Sequence, residues 1–126
     1  MMGAQEMVIF TRTFDLLTWL VPHTNHFPRA HRQTFTRRLL DAAFDLREML
    51  ELANVRQGAA RRTALMKADE ALAKVRMYLR LAKQWGWQTE AQHGHAVGML
   101  VEIGRLLGGW LKSAGWRPAE LGGHGE

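Results

Sequence analysis

The stretch ALMKADEALAKVRMYLRLAK, residues 64–83, decides the fold class. Ala64, Ala68, Ala71, Leu72, Val75, Leu79 and Ala82 recur at intervals of three and four, so one face of a helix is apolar throughout. Charged residues fill the positions between, and neither proline nor glycine interrupts the run. The spacing predicts a helix over 61–85, with Gly86 just past its end, where a left-handed backbone suits glycine. Upstream, Phe35, Leu39, Ala42, Leu46, Met49 and Ala53 predict a second helix over 28–53. Pro28 suits its first position and Gly58 breaks the loop 54–59 that follows. Nearer the start, Met7, Phe10, Phe14, Leu17 and Val21 form the apolar face of a helix over 5–21, stopped by Pro22. Downstream, Thr89 and Gln92 make a capping box. Ala96, Met99, Ile103, Leu106, Leu107 and Trp110 continue the period over 90–114, and Gly115 ends it.

No segment alternates as a strand would. Four long amphipathic helices with short links predict an all-α protein, an antiparallel up-down-up-down four-helix bundle over residues 1–114. Residues 115–126 read as a flexible Gly-rich tail. The 126 residues suit one domain, and 47% hydrophobic with 23% charged residues is a globular composition. No apolar run approaches the roughly 18–20 residues that span a bilayer, and no signal peptide is visible, which points to a cytoplasmic protein without a membrane partner.

Net charge is +5 and unevenly placed: residues 54–86 hold eight basic side chains against two acidic ones. In an antiparallel bundle the start of helix two lies beside the end of helix three. Arg29, Arg32, Arg37 and Arg38 from the first, and Arg76, Arg80 and Lys83 from the second, then gather at one end. Asp41, Asp45, Glu48 and Glu51 lie toward the other, although Arg37 and Arg38 can share Asp41, and Arg47 can pair with Glu51. Exposed pairs of that kind contribute only about 0.3–0.5 kcal/mol each. A cluster of unpaired arginines repels itself unless an anion visits, and nucleic-acid phosphate fits guanidinium in a bidentate way. An acidic protein surface and a merely solvated face are the competing readings. Trp85 and Trp87 flank Gly86 at this end, as packing at a helix corner or as platforms for unpaired bases.

Apolar side chains remain outside the predicted core. Leu40 and Phe44 on helix two, and Met77 and Leu81 on helix three, point away from it and mark an expected oligomer interface. Gly104 and Gly108, four apart inside EIGRLLGGWLKS (residues 102–113), fit a close backbone approach within the bundle or between subunits. Each mid-helix glycine costs about 1 kcal/mol relative to alanine.

Catalytic signatures are missing. The chain has no cysteine, no G-x-S-x-G, no phosphate-binding loop and no dinucleotide glycine pattern. A single E-x-x-H, Glu90 to His93, falls short of the paired set that a di-iron bundle needs. His23, His26, His93 and His95 read as polar loop histidines. The expectation is no catalytic residue, no cofactor and no metal.

EIGRLLGGWLKS, together with VRMYLRLAKQWG (residues 75–86) and FPRAHRQTF (residues 27–35), resembles the Avd family. These are accessory variability proteins of diversity-generating retroelements, within a four-helix-bundle group related to ribosomal-RNA intervening-sequence proteins. The similarity spans about residues 8–114. It implies a non-catalytic homo-oligomer, a pentameric barrel, that binds a reverse transcriptase, RNA and DNA and supports mutagenic retrohoming. It implies Arg76, Arg80 and Lys83, and Arg105 on helix four, as binding residues; charge geometry extends the site to Arg29, Arg32, Arg37 and Arg38. A bundle acting as a generic RNA-associated or protein-interaction module, untied to a reverse transcriptase, is the alternative.

Overall fold

The computed structural model describes residues 3–116. Four helices form it: α1, Ala4–His23; α2, Arg37–Val55; α3, Gly58–Gln84; and α4, Glu90–Ser113. Each packs along the next and α4 closes back on α1, so the order around the bundle is α1, α2, α3, α4. Only Arg56 and Gln57 separate α2 from α3, so the chain must double straight back. The predicted all-α four-helix bundle is the observed one.

The core is mainly leucine and alanine. Leu39, Leu46 and Leu50 of α2 interleave with Leu65, Leu72 and Leu79 of α3, all fully buried. Ala42, Ala43 and Ala53 of α2 and Ala64, Ala68 and Ala71 of α3 are buried beside them. Small residues favour close helix packing, and α2 and α3 are the most intimate pair. Each buried leucine contributes about 1.5–3 kcal/mol.

Both long caps form by identical means. Gly86 lies at φ 79°, with its N–H on Lys83 O at 3.0 Å and the Trp87 N–H on Ala82 O at 2.8 Å. Gly115, at φ 94°, repeats this, its N–H on Lys112 O and the Trp116 N–H on Leu111 O, both at 3.0 Å. These paired bonds satisfy the last carbonyls of each helix. At the other end of α4, the predicted capping box is present: the Gln92 N–H donates to Thr89 Oγ1 at 3.1 Å and the Thr89 N–H to Gln92 Oε1 at 2.9 Å.

The structure corrects several sequence expectations. The core face of α1 is Ile9, Thr13, Leu16 and Leu20, turned about 110° from the predicted one at 100° per residue. Met7, Phe14 and Val21 of the predicted face are exposed, while Phe10 and Leu17 are half-buried. Thr13 is tolerated in the core because its hydroxyl donates to Ile9 O at 2.9 Å. Pro22 does not stop α1, which continues to His23; near the end of a helix a proline forfeits little beyond its own hydrogen bond. Pro28 is not the first helical residue. Its ψ of 131° is extended, and a short 3-10 turn, Arg29–His31, and a π turn, Arg32–Thr36, precede α2. Arg29 and Arg32 therefore stand outside the α-helix. Gly58 opens α3 rather than breaking the loop before it. Of the predicted tail, residues 117–126 lie outside the described residues.

Candidate functional site

Phe35 joins the two cationic segments. It comes from the π turn ahead of α2, is buried, and meets Tyr78, Trp85 and Trp87 edge-on at 5.5, 5.4 and 5.1 Å between ring centres. His31 stacks on Trp87 at 5.4 Å. The approach to α2 thus lies beside the end of α3, as antiparallel packing requires.

Arg29, Arg32, Arg37, Arg38, Arg76 and Arg80 are exposed, and Lys83 is half-buried. Two of these meet a carboxylate: Arg37 Nε lies 4.0 Å from Asp41, and Lys83 Nζ lies 3.3 Å from Glu90. Among the described residues no carboxylate pairs with Arg29, Arg32, Arg38, Arg76 or Arg80. Five guanidinium groups are left to an outside anion.

They do not make one surface. Arg32 and Arg37 line the groove between α1 and α2, about 440 Å³, with Val21, Leu40 and Phe44. Arg76 and Arg80 line the groove between α3 and α4, about 190 Å³, with His93, Val97 and Val101. Given the helix order, those grooves are on opposite sides of the bundle. Arg76 also reaches away from its own end of α3. Its Nη2 lies over Gly104, so close that a Cβ there would meet it at 2.5 Å. Within the protomer, the glycine admits a guanidinium rather than a second backbone. Around Gly108 there is open space.

Arg105 stands apart. It is fifteen residues into α4, about 22 Å from the Glu90 end at 1.5 Å per residue. Its Nε and Nη2 donate to Glu102 at 3.1 and 2.8 Å. That hydrogen bond holds the Glu102 carboxyl below its usual range and raises the Arg105 guanidinium above its own. The residues expected at an oligomer interface divide as well. Half-buried Leu40 and exposed Phe44 share the α1–α2 groove, exposed Met77 and half-buried Leu81 lie on α3, and Gly108 lies on α4. Met7 and Phe14 on α1, which the sequence assigns to the core face, are exposed, as are Val97 and Val101 on α4, because helical spacing alone does not distinguish the two sides of a helix that is apolar all round.

His23 and His93 serve the fold. His23 is buried, stacks on Trp19 at 4.3 Å, and its Nε2 donates to Gln88 Oε1 at 2.9 Å. Gln88 Nε2 donates to Leu79 O at 2.8 Å and to His93 Nδ1 at 3.2 Å. Burial, then the Lys83 charge, lowers the His93 pKa, with Glu90 opposing and Arg80 adding to the effect. His93 therefore adds no charge to this end at neutral pH.

Three comparisons bear on this arrangement. A family model described as bAvd-like matches residues 7–114. A crystal structure of a protein of unknown function from the S23 ribosomal protein family of Bacteroides thetaiotaomicron superposes with a TM-score of 0.78. The two are 15% identical, and the alignment covers 86% of this chain and 98% of that one, a likeness of fold. Comparison with curated proteins gives no match.

Proposed function

This chain belongs to the bAvd-like family, and on that premise we propose that it is a non-catalytic accessory protein of a diversity-generating retroelement. It works in the cytoplasm as a homo-oligomer, a pentamer in the family's manner. It binds the element's reverse transcriptase together with RNA and DNA, and supports mutagenic retrohoming.

The observation that carries this reading is that, on the approach to α2, at its start and in the second half of α3, five arginines have no carboxylate partner among the described residues: Arg29, Arg32, Arg38, Arg76 and Arg80. Uncompensated guanidinium groups repel one another unless an anion comes to them. Phosphate supplies the missing charge and the bidentate geometry. Such contacts fix position along a strand and read no bases. Two cationic grooves on opposite sides allow one protomer to hold a nucleic acid and a second acidic surface together. Arg105, its charge taken up by Glu102, contributes least. The apolar surface of Val21, Leu40 and Phe44 in the α1–α2 groove suits burial against another subunit.

The test is co-expression with a reverse transcriptase encoded beside this gene, followed by co-purification. The account expects a complex that falls apart as salt rises. Oligomers that ignore the reverse transcriptase yet still bind RNA would favour the generic RNA-associated bundle instead.

A further inference from the structure

Trp85 presents a flat, half-exposed indole held in a fixed place. It is 49% exposed, yet the glycine cap at Gly86 sets its backbone and Phe35 braces its edge. Its other ring neighbour, Trp87, stands 5.0 Å away at 54°, so among the described residues no aromatic ring lies parallel to Trp85. Trp87 differs, because His31 already stacks on it at 15°. Between them lies a recess of about 380 Å³ lined by His31, Thr34, Phe35, Trp85 and Trp87. No acid lines it.

The rim is polar. Among the described residues neither the His31 ring nitrogens nor the Thr34 hydroxyl makes a hydrogen bond within the protein. Arg29 and Arg32 flank His31 in the chain, and Arg38 is one helical turn beyond Thr34. An open indole face, donors and acceptors at the edge, and unpaired guanidinium groups on residues close to the rim in the chain match three parts of one ligand. These are a flat heteroaromatic ring, its polar edge and the phosphate attached to it. An apolar protein side chain would satisfy only the first.

We propose that this recess receives one unpaired nucleobase of a single strand, stacked on Trp85. The inference rests on the phosphate-binding reading above and adds to it a preference for single strands, which phosphate contacts alone do not give.

The experiment measures fluorescence anisotropy of a labelled short oligoadenylate, an abasic strand of the same length and a duplex, at one ionic strength. The wild-type protein should bind the base-bearing strand about 5- to 150-fold more tightly than the abasic one, the range for one stacked base. Trp85→Leu should erase that preference and leave duplex affinity unchanged, while Trp85→Phe should keep most of it. Equal wild-type affinity for the base-bearing and abasic strands overturns the proposal and leaves phosphate binding standing. Binding to none of the three overturns both. Retained base preference in Trp85→Leu overturns the assignment to Trp85. Loss of reverse-transcriptase capture in that variant, with base preference intact, would assign the recess to a protein side chain instead.

Discussion

Alanine at Gly104 and at Gly108 should separate helix propensity from the position of Arg76. Both glycines lie in the interior of α4, and either substitution should gain up to about 1 kcal/mol from propensity. At Gly108 the new methyl meets nothing within 4 Å, so the whole gain should appear. For a chain of this size that is about 3–5 °C in Tm. At Gly104 a Cβ would come 2.5 Å from Arg76 Nη2, with Leu72 Cδ2 at an ordinary 3.6 Å. The atom that must move is the far end of a flexible, exposed side chain, not a backbone. Displacement is therefore cheap, and Gly104→Ala should keep most of the same gain while Arg76 shifts. Thermal melts of the two variants, with nucleic-acid binding measured on each, give the comparison. Gly104→Ala should melt within a few degrees of Gly108→Ala but bind nucleic acid more weakly, although no charge has been removed. The reasoning is falsified if Gly104→Ala melts below the wild type, because Gly104 would then accommodate something that cannot give way.

Phe35→Ala removes the ring that Tyr78, Trp85 and Trp87 surround, and urea melts should show a loss of about 3–5 kcal/mol. Thr89→Ala breaks the capping box at the start of α4; the same melts should show about 1 kcal/mol lost. His93 makes stability depend on pH. Its folded pKa is below the ordinary 6.5, so the unfolded chain binds the proton more readily. The stability it confers is complete above 6.5 and is lost as pH falls through 6.5 toward the folded value. The difference in unfolding free energy between the wild type and His93→Gln should shrink over that window, and a difference that stays constant would remove His93 as its source.

Much of the fold is legible in the residues, and the reasons differ by helix. All seven positions assigned to the α3 core are buried. There, alanines and leucines face charged residues so sharply that only one orientation fits. On α2 the assigned face is right but for Met49, which is half-buried while its neighbour Leu50 takes the core position. In α1 the pattern misleads. Large apolar residues occur on both sides, and the true core face includes Thr13, whose hydroxyl is satisfied by its own helix. A hydrophobicity count favours Phe10 and Phe14, but neighbouring helices decide, and they are invisible locally. The π turn, Arg32–Thr36, has no signature of its own either.

The cationic site was partly legible for a similar reason. Chain direction alone brings the start of α2 to the end of α3, and the rings around Phe35 confirm that meeting. The side of the bundle on which each arginine lies depends on helix rotation, and the sequence placed Arg32 and Arg76 together where the structure puts them in opposite grooves. Arg105, which the family resemblance implies as a binding residue, is paired with Glu102 at i−3.

The salt dependence of duplex DNA binding tests the central claim most directly. Each lost phosphate contact lowers the slope of log affinity against log salt by about 0.9. Arg76→Ala with Arg80→Ala should therefore reduce the slope by about 1.8 without changing the circular dichroism spectrum. Arg105→Ala, already neutralised by Glu102, should leave the slope close to that of the wild type. A double variant with the wild-type slope would contradict the account, because the unpaired guanidinium groups in the α3–α4 groove would then be holding no phosphate.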